Sequence, residues 1–159
     1  MDDSPRAVEL RVIGIVRNGR DSAADTGWGS LESAIEMRPE FAPGLDGLAA
    51  FSNALVLFHM HLRVDDEPPL MQRRPRGRAD MQRLGVFAQR GKNRPNPVGI
   101  TAVEIVRVEP ARLVVRGLNA VDGTPVLDLK PYFPAFDRVE SPRVPEWVGR
   151  LMKGYFAEE

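Results

Sequence analysis

Cysteine is absent from the 159 residues, which removes disulfide bonds, thiolate zinc ligands and thiol catalysis from consideration. Apolar runs long enough to span a membrane are absent as well. The N-terminal residues Met1, Asp2 and Asp3 do not lead into the apolar segment of a signal peptide. These absences favour a cytoplasmic protein with no membrane partner.

Histidine is scarce, and the two histidines, His59 and His61, stand two residues apart in an apolar run. On a strand this spacing places both rings on one face, where they could provide half of a metal site. Because no cysteine and no third histidine completes such a site, the sequence predicts no metal centre. Hydrogen-bonded histidines at the edge of a sheet are the simpler interpretation.

Short segments with strand character recur between turns that are rich in glycine and proline, of which the chain has 14 each. Few helices and many short strands predict an all-β fold, a small closed barrel or a sandwich, in one domain with a core at about 8–138. No Gly-x-Gly-x-x-Gly motif follows a strand, so a Rossmann-type cofactor site is not supported. We predict strands over 8–17, 34–37, 53–62, 86–88, 98–108 and 113–118, an extended segment over 126–132, and a helix over 145–156.

Charge is balanced overall, but eight basic residues and one acidic residue, Asp80, lie between Arg73 and Arg94. A local basic block on a neutral protein could bind a polyanion, or it could be a solvated loop. The connection over 63–83 is long and polar, which is typical of lids, binding loops or disordered segments. The basic residues are Arg73, Arg74, Arg76, Arg78, Arg83, Arg90, Lys92 and Arg94.

An isolated aromatic residue, Trp28, lies between Gly27 and Gly29 in a polar loop over 18–30. A ring in this position either covers a ligand or packs against the core, and the sequence leaves both interpretations open.

A stiff loop follows residue 89, where Pro95-Asn96-Pro97 comes directly after Arg90, Lys92 and Arg94. Each proline fixes its own φ and biases the preceding residue toward an extended backbone. A binding site needs its groups held in place before the ligand arrives, so this loop is a candidate site or a rigid hairpin connection. A second candidate is the turn at Asp122-Gly123, which Thr124-Pro125 follows.

Together these segments resemble the TsaA or TrmO family of S-adenosylmethionine-dependent tRNA methyltransferases. The family pattern Gly-Val-Phe-Ala-x-Arg-x-x-x-Arg-Pro-Asn-Pro-[Ile/Val]-Gly matches residues 85–99, and Asp-Gly-Thr-Pro-Val-x-Asp-[Ile/Leu]-Lys-Pro-Tyr matches residues 122–132. The resemblance, which covers residues 10–138, implies a homodimeric β-barrel with adenosylmethionine as cofactor. It also implies N6-methylation of a threonylcarbamoyl-modified adenosine beside the anticodon of a threonine tRNA.

If the activity is methyl transfer to an adenine, its chemistry suggests roles for single residues, and either Arg90 or Arg94 could bind the cofactor carboxylate or an RNA phosphate. Asp122 would accept a hydrogen bond or a proton from the adenine amino group, although it could equally stabilise its own turn. Arg90 would hold a carboxylate or a phosphate, and Asn96 a base edge, which makes Arg90, Asn96 and Asp122 the expected catalytic residues. The expected cofactor-binding residues are Trp28, Gly29, Ser30, Met60, His61, Arg90, Gly99, Asp122, Gly123, Thr124 and Pro125. The expected RNA-binding residues are Arg73, Arg74, Arg76, Arg78, Lys92, Arg94 and Tyr132.

Two alternatives remain open at this stage. Longer bacterial members of the family carry an additional C-terminal domain, whereas this sequence ends at Glu159, so the methyl acceptor could be a small molecule or another RNA. A module that binds adenosylmethionine or a nucleotide without catalysis is the second alternative. RNA, not DNA, is the nucleic acid we expect as partner.

Overall fold

A six-stranded antiparallel barrel forms the centre of the molecule, in a computed structural model that describes residues 7–62 and 70–157. The strands close in the order β1-β2-β7-β6-β3-β8, and β4 and β5 form a separate two-stranded sheet. The barrel strands are β1 (Gly14–Arg17), β2 (Glu32–Met37), β3 (Asn53–His59), β6 (Val98–Glu109), β7 (Arg112–Arg116) and β8 (Pro125–Pro131). Within the described residues, no helix is both long and apolar enough to cross a membrane.

The remaining elements are short. β4 (Gln72–Arg73) and β5 (Leu84–Gly85) pair with each other, and 3-10 helices span Pro39–Leu45, Leu48–Ala50, Pro75–Gly77 and Val86–Ala88. The two α-helices are α1 (Pro134–Asp137) and α2 (Glu146–Met152).

Alternation of buried and exposed side chains explains why these segments become strands. In β3 every second residue, from Ala54 through Val56 to Phe58, is buried in the barrel interior, while Leu55 and Leu57 stay partly exposed outside. The same alternation in β6 buries Thr101 and Val103. The interior is therefore filled by side chains, and ligand binding has to take place at an end of the barrel or between loops.

The two ends of the barrel differ. At the end that we call the capped end, β2 leads into the first two 3-10 helices, whose Leu45 and Leu48 join the hydrophobic core. The opposite end, the loop end, is closed by irregular loops, and Leu118 and Ala120 of the β7–β8 connection join the hydrophobic core there. It is built from the C-terminal ends of β1, β3 and β7, the N-terminal ends of β2, β6 and β8, and the loops that join them.

Several predicted boundaries were wrong. The segment 86–88 is a 3-10 helix with Phe87 75% exposed, because only Val86 is buried. β1 begins at Gly14, not at residue 8. β3 ends at His59, and the backbone N–H of His61 turns back to the carbonyl of His59, so the two histidines do not share a strand face.

The long connection also has more structure than predicted. From residue 70 onward it forms β4, a 3-10 turn and β5, and we call this segment, residues 70–85, the basic excursion. Residues 63–69 and the predicted disordered N-terminus, residues 1–6, lie outside the described residues. The C-terminal helix is confirmed but shorter, ending at Met152.

Candidate functional site

The loop end collects most of the predicted site residues, although they are far apart in sequence. Since neighbouring strands are antiparallel, the loop after β1, the end of β3 and the starts of β6 and β8 meet there. The predicted residues at or beside this end are Trp28, Gly29, Ser30, Met60, His61, Arg90, Asn96, Gly99, Asp122, Gly123, Thr124 and Pro125.

Asp122 is held in a defined network, and its partners are on the loop after β1. Its Oδ1 accepts hydrogen bonds from the backbone N–H groups of Asn18 at 2.8 Å and Gly19 at 3.1 Å. Arg17 lies 3.5 Å from its other carboxylate oxygen. The hydrogen bonds from Gly19 and Asn18, with the charge of Arg17, lower the pKa of Asp122 below its ordinary value. A strongly ionised carboxylate is a weak proton acceptor, so the geometry favours positioning over general-base catalysis.

The predicted turn at Asp122 is confirmed in its backbone. Gly123 has a φ of 79°, which glycine adopts without strain, and the N–H of Thr124 closes the turn on the carbonyl of Val121 at 3.2 Å. The side chain of Thr124 is buried in the barrel, at 2% exposure. In this conformation Thr124 can therefore offer a ligand little besides its backbone.

Trp28 packs inside its own loop. Its ring is 2% exposed, its Nε1–H donates to the carbonyl of Ala24 at 2.8 Å, and the guanidinium of Arg20 stacks over it at 3.7 Å. Arg20 also donates to the carbonyls of Ser22 and Thr26. The packing interpretation of Trp28 fits this geometry, and a cofactor contact by its ring stays a prediction that requires the loop to open.

Arg90 is exposed and donates from Nη2 to the carbonyl of Ile100 at 2.6 Å, beside the start of β6. A guanidinium has five N–H donors, so this bond leaves most of the group available to an anion. Asn96 is also exposed, and in the same loop the buried Oδ1 of Asn93 has no hydrogen-bond partner among the described residues.

Gly99 has a packing reason of its own. A Cβ at this position would lie 2.5 Å from ring atoms of Phe58, which is opposite it on β3. Met60 is tied to the same loop, because its N–H donates to the carbonyl of Pro97 at 2.8 Å. A cofactor contact by Gly99, Met60 or His61 stays a prediction.

A polar chain at the loop end was missed in the sequence. Thr101 Oγ1, inside the barrel, hydrogen-bonds the side-chain oxygen of Asn119, and Asn119 Nδ2 donates to the hydroxyl of Tyr155 at 2.9 Å. Asn18 Nδ2 similarly donates to the buried Ser33 at 2.9 Å. Neither pairing has a sequence signature, because the partners are 18 to 36 and 15 residues apart.

Most arginines of the predicted RNA-binding set make contacts within the protein. Arg74 donates to the carbonyls of Ala79 and Met81, and Arg78 pairs with both carboxylate oxygens of Asp80 at 2.9 and 2.7 Å. Arg94 donates to backbone carbonyls of its own loop. The predicted solvated basic loop is in part a set of structural arginines, and an RNA contact by them stays a prediction.

Tyr132 lies away from the other predicted site residues. It follows β8, which starts at the loop end with Pro125 and ends at the capped end with Pro131. Seven strand residues span about 20 Å, so Tyr132 cannot share a rim with Asp122 in one chain. Phe133, beside it, stacks instead on Phe51 with ring centroids 5.8 Å apart.

The described residues suit an amphoteric ligand with a carboxylate. Arg90 offers donors to an anionic group, whereas the Asp122 carboxylate offers negative charge to an ammonium or another cationic centre. These opposite charges fit adenosylmethionine, which carries a carboxylate, an ammonium and a sulfonium.

The closed antiparallel barrel, with its polar loop end, places this protein among small β-barrel proteins with a site built from loops. Residues 23–138 match the model of the tRNA-methyltransferase O N-terminal domain. The chain belongs to this family, as its two long motifs predicted, and the predicted all-β barrel is confirmed.

Relatives agree with this assignment. A probable S-adenosyl-L-methionine-binding protein of Methanothermobacter thermautotrophicus is 38% identical over 138 residues, which cover 84% of this chain and 96% of the relative. The tRNA (adenine(37)-N6)-methyltransferase of Mus musculus is 34% identical over 99 residues, covering 58% of this chain and 21% of the relative.

Solved structures show the same fold. A crystal structure of TrmO matches with a TM-score of 0.73 and 30% identity over 87% of this chain, and one of TrmO from Pseudomonas aeruginosa with 0.70 and 29% over 87%. The match covers 64% and 62% of those two solved chains, so this chain spans less than two thirds of their length.

Proposed function

We propose that this protein is an S-adenosylmethionine-dependent methyltransferase whose cofactor binds at the loop end of the barrel. The observation that carries this proposal is that the cationic Arg90 and the anionic Asp122 lie on loops at the same end of a barrel of this family. The names of the relatives support the same cofactor, since several are S-adenosyl-L-methionine-binding proteins or methyltransferases.

The bound cofactor supplies a methyl group on a sulfonium, which is already activated for transfer. The protein therefore acts mainly by positioning, an effect worth on the order of 7–11 kcal/mol in favourable model reactions. Arg90 holds the carboxylate, and Asp122 keeps the loop at Asn18 and Gly19 in place while presenting negative charge at the rim. Asn96, exposed on its stiff loop, is the group we assign to the acceptor base.

The methyl acceptor we propose is the N6 nitrogen of adenosine 37 in tRNA, in its threonylcarbamoyl-modified form. The mouse relative supports the tRNA adenine as substrate class. Lys92 lies in the loop that leads into β6 at the loop end, and we propose it, with the arginines of the basic excursion, as the groups that contact phosphates.

A homodimer is the assembly we propose. The outer faces of β3 and β6 carry an apolar stripe, in which Leu57 pairs with Ile100 and Leu55 pairs with Ala102. Ile100 is 43% exposed, Ala102 is exposed, and Leu55 and Leu57 are partly exposed. Burial of this stripe against a second copy would bring two loop ends together. The paired loop ends would bury more of the cofactor surface than the shallow loop end of one chain does.

Calorimetry with adenosylmethionine, followed by a transfer assay, tests the function. The protein and methyl-labelled cofactor are incubated with tRNA that carries threonylcarbamoyl-adenosine or with tRNA that lacks it. A reaction without the protein is the control. We expect label in N6-methylated adenosine of the modified tRNA. Label in neither tRNA, with normal cofactor binding, would instead favour a binding module, an alternative that the low pKa of Asp122 keeps in view.

Light scattering tests the assembly separately. Wild-type protein should have the mass of a dimer, and Ile100→Glu, which places a charge in the apolar stripe, should have the mass of a monomer. Ala49→Glu, on the exposed surface of the capped end, is the matched control. Monomeric wild-type protein with and without adenosylmethionine would contradict the dimer.

A further inference from the structure

The residues after α2, Lys153–Ala157, run across the loop end, and we call them the C-terminal strap. Although it lies outside the region that matches the family model, the strap contacts two segments of the loop end and the basic excursion. This contact pattern is not explained by the barrel alone, whose sheet is complete without it.

The first contact is with the backbone beside Trp28. The N–H of Trp28 donates to the carbonyl of Tyr155 at 3.3 Å. A Cβ on the next residue, Gly29, would overlap the carbonyl oxygen of Phe156. Gly29 does not have a positive φ, so the need for glycine here comes from the close approach of the strap.

The second contact fixes Asn119. The hydroxyl of Tyr155 accepts the hydrogen bond from Asn119 Nδ2, and the side-chain oxygen of Asn119 bonds Thr101 in the barrel interior. Asn119 is thus held on both sides, three residues before Asp122. Its amide is oriented by Tyr155, since the hydroxyl is the partner on the side away from the barrel.

The third contact is with the basic excursion. The guanidinium of Arg76 lies 5.3 Å from the ring centre of Tyr155, and its Nη2 is 3.8 Å from the sulfur of Met152. Arg76 also pairs with Asp25 at 3.4 Å, so Tyr155 sits between the excursion and the loop over 18–30. Because Tyr155 contacts three separate segments, the C-terminal strap is packed against the protein and is not a free tail.

We propose that the C-terminal strap, through Tyr155, forms a wall of the cofactor site that holds Asn119 and the Trp28–Gly29 backbone in the geometry that binds adenosylmethionine. Tyr155 is a positioning residue that acts through Asn119. The inference rests on the proposed function, which places the cofactor at this end of the barrel.

The test compares Tyr155→Phe with wild type, because this change removes the hydroxyl and keeps the ring. We expect adenosylmethionine affinity to fall about three- to tenfold, the effect of one neutral hydrogen bond. KM for adenosylmethionine should rise by the same factor while kcat stays at the wild-type value, and the melting temperature should fall by no more than about 2–4 °C, the effect of one lost hydrogen bond. Lys153→Ala, an exposed change in the strap, is the matched control and should bind as wild type does.

A second pair of variants shows whether Gly29 acts through the strap. Gly29→Ala should weaken binding in the full chain but have no further effect in a chain ended after Met152, because the clash partner is then gone. Equal weakening with and without the strap would mean that Gly29 contacts the cofactor directly, which overturns the inference and leaves the proposed function standing. The Asn119 side-chain amide resonances, which should shift in Tyr155→Phe, report on the strap without any ligand.

The outcomes separate cleanly. If Tyr155→Phe binds adenosylmethionine with wild-type affinity, the inference is overturned and the proposed function stands. If it binds more tightly, the inference is also overturned, and the strap hinders cofactor binding. Wild-type protein without measurable binding overturns the proposed function and the inference together.

Discussion

At the capped end, Leu45 and Leu48 are 4% and 8% exposed and complete the apolar core, whereas at the loop end the buried residues include the polar side chains Ser33, Thr101 and Thr124. The capped end gains stability from apolar burial. The loop end places hydrogen-bonding groups where a leucine could pack, and each of these groups needs a partner to avoid a desolvation cost. The loop end therefore combines apolar packing by Leu118 and Ala120 with buried hydrogen-bonding groups, and we expect the ligand site at the end that carries these polar groups.

The largest effect we expect is at the capped end. Leu45→Ala removes a buried side chain from the core and should lower the free energy of unfolding by about 2–4 kcal/mol. Cofactor affinity of the folded protein should not change, because the mutated site lies at the opposite end. Denaturant titration and calorimetry on the same samples test both statements, with exposed Asp46→Ala as control. A loss of cofactor affinity without a loss of stability would show that the capped end, not the loop end, contributes to the binding site.

Arg90→Ala should produce the reverse pattern. A charged hydrogen bond contributes about 1.5–3 kcal/mol, so adenosylmethionine affinity should fall roughly tenfold to a hundredfold while the melting temperature barely changes. Arg138→Ala, an exposed arginine beyond the capped end, is the control for lost charge. Unchanged affinity in Arg90→Ala would remove this residue from the site.

Gly99→Ala tests a position where the two requirements overlap. Because the new methyl group would meet the ring of Phe58, we expect the free energy of unfolding to fall by about 1–3 kcal/mol. Phe58→Leu in the same chain should recover part of this loss, which urea titration of the two single variants and the double variant would show. Weaker cofactor binding at unchanged stability would show instead that Gly99 contacts the ligand.

Asp122 should make the smallest and most pH-dependent contribution. Its pKa is lowered in the folded protein, so its ionised form stabilises the fold above its ordinary pKa, and this stabilisation is lost as pH falls through the lowered pKa. The stability difference between wild type and Asp122→Asn should therefore be constant near neutral pH, begin to shrink as the pH falls to about 4, and disappear below the lowered pKa. A difference that grows in acid would contradict the hydrogen bonds from Asn18 and Gly19.

The sequence predicted an all-β fold because short strand-like segments between glycine- and proline-rich turns are a local pattern. It predicted the closed barrel and the site segments because the two family motifs are contiguous. It predicted a strand at 86–88, where the structure has a 3-10 helix with only Val86 buried. A run of apolar residues does not by itself reveal which side chain faces the core. Nor did the sequence reveal Asn119 or Tyr155, whose pairing depends on where the chain passes after α2. Tyr132 belongs to the same contiguous motif as Asp122, but a whole strand separates the two residues, and an RNA contact by Tyr132 stays a prediction.

The most direct test of the central claim is a titration of isotope-labelled protein with adenosylmethionine, followed through the backbone amide resonances. The account predicts shifts at the loop end, in residues 18–30, 60–62, 89–101 and 117–125, and unchanged resonances in the capped end over 39–50 and 131–137. A response centred on the capped end, where a depression of about 400 Å³ is lined by Phe41, Leu48 and Phe51, would place the site at the wrong end of the barrel and contradict the account.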